Sequence, residues 1–139
     1  MVHALDELRR VLIPGGTLLD LRPLADRWPV EIVEDGNHHQ TGRLTDLPTG
    51  LSDDQAANLS VEEAARRGWF KRGSELTFPL YAYWDNPDEM IAYVTDQWAD
   101  FVRLGDDVQK PTQAAFAAAG GDRRVRLKLK MLLTRWQKQ

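Results

Sequence analysis

Leu5, Leu8 and Leu12, with Val11 beside them, fall at the three- and four-residue spacing of one helical face. Asp6 stands three and four residues before Arg9 and Arg10, where opposite charges meet on the outer face. The spacing predicts an amphipathic helix that Pro14-Gly15-Gly16 ends, because proline disfavours helix in the residue before it and glycine accepts the left-handed turn. Residues 17–21 then form a short apolar run, read as a strand buried on both faces. Val30, Ile32 and Val33, the turn Asp35-Gly36 and the segment 38–44 predict two extended stretches folded as a hairpin.

Residues 47–51 carry Pro48 and Gly50 and read as loop. Ser52-x-x-Gln55 and Ser60-x-x-Glu63 each resemble a capping box, so that one helix, or two broken at Ser60, runs to Gly68. Residues 69–84 form the longest predicted strand, with Leu76, Phe78, Leu80, Ala82 and Trp84 on one face and Thr77, Pro79, Tyr81 and Tyr83 on the other. Pro79 cannot donate to a ladder and places this strand at a sheet edge or a bulge.

Asn86-Pro87-Asp88-Glu89 supplies an N-cap, a proline at the first helical position and two acids at the positive end of the helix dipole. The helix so started buries Ile91, Val94, Trp98 and Phe101 and is closed by Gly105. A further helix, over residues 106–119, contains Pro111 and stops at Gly120-Gly121. Val125, Leu127 and Leu129 alternate with Arg126, Lys128 and Lys130, the pattern of a half-exposed strand reaching about residue 136. One core is expected from Leu5, Leu8, Leu12, Leu19, Leu21, Phe78, Leu80, Ile91, Val94, Trp98, Leu127 and Leu129.

At 139 residues the chain is one domain's worth, with the 42% hydrophobic and 28% charged composition of a soluble globule. No apolar run approaches the roughly 18 residues of a membrane span. The absence of cysteine excludes disulfides and thiolate chemistry. With no signal-peptide pattern at the N-terminus, a cytoplasmic setting is expected. A net charge of -3 gives no reason to seek nucleic acid. Arg123, Arg124, Arg126, Lys128, Lys130, Arg135 and Lys138 make one end locally basic, either a phosphate-binding surface or, as is more common for such strands, a solvated face.

Residues 5–23, Leu-Asp-Glu-Leu-Arg-Arg-Val-Leu-Ile-Pro-Gly-Gly-Thr-Leu-Leu-Asp-Leu-Arg-Pro, resemble the late part of class I S-adenosylmethionine-dependent methyltransferases, in which a helix ending in a proline-glycine-glycine turn precedes the fifth strand. The resemblance implies an α/β fold with a partial mixed sheet and flanking helices, like the C-terminal half of that fold. Its last strand would slip antiparallel between the fifth and sixth, leaving the sixth outermost. In the family the cofactor is held by a glycine-rich loop and an acidic residue well before this segment. Residues 1–139 therefore read as a single methyltransferase-like domain without the cofactor-binding half. No S-adenosylmethionine-binding residue is carried over and no cofactor is predicted for this chain alone.

If the first and long strands run parallel, their ends bring Arg22, Tyr83, Trp84 and Asp85 to one rim, with Trp28 close by, suited to an anionic or planar small molecule. The plainer alternative makes Trp84 core, Asp85 part of a helix start and Arg22 a surface ion pair. His38 and His39 are adjacent and on a strand point to opposite faces, so no metal site is predicted. Ser52, Ser60 and Ser74 lack the context of a catalytic nucleophile, and Gly15-Gly16 lacks the lysine of a phosphate loop.

Three functions remain in view. The first is a methyltransferase-like protein without methyl transfer of its own, binding a small molecule or serving a separate cofactor-binding chain. The second is a C-terminal fragment of a longer methyltransferase, and the third a self-associating interaction module. An open strand edge at residues 17–21 favours a homodimer unless the hairpin folds back over it.

Overall fold

Periodicity becomes structure in most of the places it marks. The computed structural model describes residues 2–139. In chain order these form α1 (Val2–Val11), β1 (Thr17–Leu24), β2 (Pro29–Glu34), β3 (Asn37–Arg43), β4 (Thr45–Asp46), α2 (Pro48–Arg66), β5 (Phe70–Trp84), α3 (Pro87–Gln97), β6 (Val102–Arg103), α4 (Asp106–Ala118) and β7 (Arg123–Lys138). The protein is α/β. Its main sheet runs β1-β7-β2-β3 with β5 also on β7, and it is antiparallel where a mixed sheet was expected. β1 and β5 each pair with β7 and not with one another.

The chain divides into two compact units, each discontinuous. One contains residues up to 24, 52–78 and 131–139; the other contains residues 25–51 and 79–130. In the first unit, Leu5 of α1, Ala64 of α2, Phe70 of β5 and Trp136 of β7 form an apolar cluster, with Leu12, Leu18, Val61, Ala65 and Trp69 packed on it. The Gly15 amide donates to the Lys138 carbonyl at 3.2 Å, and the Lys138 amide returns a bond to Gly16 at 2.9 Å. The Pro-Gly-Gly turn therefore ties the start of β1 to the end of β7.

In the second unit, Val30, Ile32, Val125 and Leu127 are fully buried together with Leu44, Met90 and Val94. The β2–β3 hairpin turns at Asp35 (φ 47°) and Gly36 (φ 83°), the two left-handed residues that a twist-matched two-residue turn demands. Thr41 is the extra residue where the register shifts, since Val30 faces Gly42 while Glu31 faces Gln40. Its hydroxyl lies 2.6 Å from that of Thr112 in α4. Asn86 caps α3 as expected, accepting from the Glu89 amide at 3.0 Å.

Several expectations are corrected. β1 is not buried on both faces: its positions alternate, and Leu19 and Leu21 are 61% and 56% exposed. Leu8, Leu80 and Phe101 are exposed as well. Residues 48–51 are not loop, because Pro48 opens α2 at a position where a missing amide costs nothing. That helix continues through Ser60, whose hydroxyl bonds back to the Ala56 carbonyl at 2.7 Å instead of capping a new start. α3 ends at Gln97, and Gly105 is the N-cap of α4, not the close of α3. The short ladder of β4 with β6, the latter between α3 and α4, carries no apolar period that the sequence could show.

Candidate functional site

The register of β2 on β7 sets Glu31 opposite Arg126, between the core pairs Val30–Leu127 and Ile32–Val125. Strand alternation therefore turns this glutamate and arginine to the face away from those apolar pairs. Arg126 Nε donates to Glu31 Oε2 at 2.5 Å, and Nη1 donates to the Tyr83 hydroxyl at 3.4 Å. The guanidinium lies 4.3 Å from the centre of the Tyr81 ring, within cation–π range. The two side chains are only 11% and 8% exposed. Burial works against the charged form of Arg126, yet the bonds to Tyr83 and Glu31 outweigh it and its pKa is raised. The result is a fixed cation clamped by a carboxylate and flanked by two phenols.

The neighbouring cations of β7 are also paired. Arg124 meets Asp85 at 3.2 Å, Lys130 meets Asp26 at 3.6 Å, and Arg123 covers the Phe116 ring at 4.6 Å while donating to the Ala119 carbonyl. Carboxylates thus hold Arg124, Arg126 and Lys130, while Lys128 and Arg135 of the same strand are exposed.

The same unit contains a string of aromatic rings. Trp28 and Trp98 meet edge-on at 5.6 Å and Trp98 and Tyr93 at 5.2 Å, while Tyr93 and Trp84 meet at a tilt at 5.5 Å. Edge-to-face contacts of this kind add about 0.5–1.5 kcal/mol each beyond area burial.

In the other unit a second arginine–carboxylate pair sits on β1 alone. Arg22 Nη2 donates to Asn58 Oδ1 of α2 at 2.9 Å and stands 3.3 Å from Asp20 Oδ2. Asp20 Oδ2, Arg22 Nε and Arg22 Nη1 are nevertheless buried without a hydrogen-bond partner. Such orphaned polar groups cost about 1–3 kcal/mol each, more when charged. Nearby, Glu75 accepts from Arg72 and, at 3.0 Å, from the Thr134 hydroxyl, and these two bonds hold its pKa below the usual carboxylate value.

Of the five rim residues expected from the sequence, four fall in one unit and divide into two pairs. Trp28 and Trp84 share the ring string. Tyr83, on the opposite face of β5 from Trp84, holds Arg126, and Asp85, just beyond the strand, holds Arg124. Arg22 belongs to the other unit. His38 and His39 are exposed on β3. Among the described residues no group of three or more histidines, cysteines or acids could hold a metal ion. Glu31, Tyr81 and Arg126 were missed as a group, since only the strand register places a glutamate from one end of the chain against an arginine from the other.

No protein-family model, curated protein or solved structure matches this chain.

Proposed function

We propose that this chain is a methyltransferase-like half-domain without methyl transfer of its own, acting as an accessory to a cofactor-binding partner or as a small-molecule-binding module. The supporting observation is the place of β7. In the unit built on α1, the strand that follows all other elements pairs with both β1 and β5, while α1, the Pro-Gly-Gly turn and β1 follow one another as the residue 5–23 resemblance implies. β5 has β7 as its ladder partner among the described residues and carries Pro79, in keeping with the outer position of the family's sixth strand.

Calorimetry and thermal shift with S-adenosylmethionine and S-adenosylhomocysteine test the reading. The chain alone is expected to give no saturable heat and no shift in Tm. One-to-one binding at micromolar affinity would mean that it builds a cofactor pocket of its own, and the half-domain reading would fall. The fragment alternative is separated by the upstream coding sequence, where a strand followed by a glycine-rich loop in the same frame would mark a longer enzyme.

A further inference from the structure

The free edge of β1 carries the inference. β1 is the terminal strand of its sheet path, with β7 as its ladder partner among the described residues. Its outward positions Thr17, Leu19, Leu21 and Pro23 are all exposed and bear no charge. Natural sheet edges are blunted by charge, proline or an irregular backbone. β5 of the same unit has all of these. Lys71, Arg72 and Glu75 are exposed along it, and Pro79 follows. The positions of β5 that reach β7 also change parity, since Arg72 stacks on Trp136 while Glu75 bonds Thr134. Over residues 17–22 the outward face of β1 carries neither charge nor proline; Pro23 ends that stretch, and Asp20 and Arg22 lie on the other face.

We propose that β1 pairs antiparallel with β1 of a second copy of this chain about a two-fold axis at Leu21. Charge selects the register. A two-fold at Asp20 would set aspartate against aspartate, and one at Arg22 would set arginine against arginine. Centred on Leu21, each Asp20 faces Arg22 of the second copy, and each Leu19 faces the second copy's Pro23, whose missing amide ends the ladder there. Both faces of the joint are then complementary: leucine and proline on the outward side, two opposite-charge pairs on the other. In the single chain Arg22 already meets Asp20 and Asn58 and the unpartnered atoms of Asp20 and Arg22 are buried, so pairing across the axis requires these two side chains to turn toward the edge. The inference rests on β1 itself and stands whether or not the chain is methyltransferase-like.

The full chain should sediment as a dimer at micromolar concentration. Asp20→Arg and Arg22→Asp, each alone, set like charges across the axis and should weaken association by at least about tenfold. An equimolar mixture of the two variants should regain the dimer, because one copy then offers two arginines to the other's two aspartates. The chain has no cysteine. Leu21→Cys should therefore oxidise to a covalent dimer across the axis, and Leu19→Cys should do so much more slowly. A strictly monomeric wild-type mass, a mixture that stays monomeric, or equal crosslinking at 19 and 21 would overturn the proposal, and the two cysteine variants decide it even if the charge variants fold poorly.

Discussion

Two arginine–carboxylate pairs in this protein are buried to nearly the same extent and satisfied to very different degrees. Glu31 and Arg126 come from neighbouring strands in register, and a short charge-assisted bond, a phenol and an aromatic ring surround the guanidinium. Asp20 and Arg22 come from one strand at a sheet edge, two residues apart, and the contact between them leaves donors and an acceptor unused. All four side chains are largely buried, and the chief difference between the pairs is position in the sheet. A residue inside a sheet has cross-strand neighbours on both sides, and a residue at the edge has lost one of them.

The largest effect should come from breaking the satisfied pair on one side. Glu31→Ala leaves Arg126 buried and uncompensated and should lower unfolding stability by about 3–5 kcal/mol in urea titration. Replacing both residues by apolar ones of similar volume should restore most of that loss. If the double variant is no more stable than the single, the pair is not the organising contact of that face.

The edge pair should respond more weakly. Replacing both Asp20 and Arg22 by apolar residues removes orphaned groups as well as the contact, and at concentrations too low for association it should change stability by less than about 1 kcal/mol. A loss as large as that at Glu31 would mean that the edge pair is satisfied after all, and the contrast would vanish.

The smallest effect concerns an exposed ion cluster at the end of α2. Hydrogen bonds from Arg66, at 2.7 Å, and then from Arg67, at 2.6 Å, lower the Glu63 pKa from 4.5 to about 2. A carboxylate whose folded pKa is depressed contributes stability that is present above its unfolded value and is lost as pH falls through the folded one. The contribution should therefore fade between about pH 4.5 and 2. Glu63→Gln should flatten the pH dependence of Tm in that window, and an unchanged profile would show that solvent screens the pair fully.

Local chemistry was the legible part of the sequence. Asp35-Gly36 announced its hairpin because the turn itself requires left-handed residues, and Asn86 to Glu89 announced α3 because a cap, a proline and two acids each act within one turn. Pro79 marked an edge strand for the same kind of reason. What depends on distant neighbours was not legible. Leu19 and Leu21 read as core from their own hydrophobicity, yet only the strand order shows that their side is open. Met90 of α3 is fully buried where Ile91 and Phe101 were expected, because the buried stripe is set by where α3 meets α4 and β6. In β7 the period of two holds, but the buried positions are odd up to Met131 and even from Leu132 to Trp136. A single alternating pattern could therefore describe only half of the strand.

That change of parity occurs where β7 passes from one unit to the other. It bears on how the protein is made. The unit with α1 at its start is assembled from three separated stretches, and the last of them, 131–139, supplies Trp136 to its core. During synthesis these residues leave the ribosome after everything else the two units contain. α1, β1 and α2 must therefore wait, with Leu5, Leu18 and Ala64 uncovered, while the other unit can already close around residues 25–51 and 79–130. At about 5–20 residues per second the delay between the two closures is short, but over that interval the first unit depends on being kept from wrong partners.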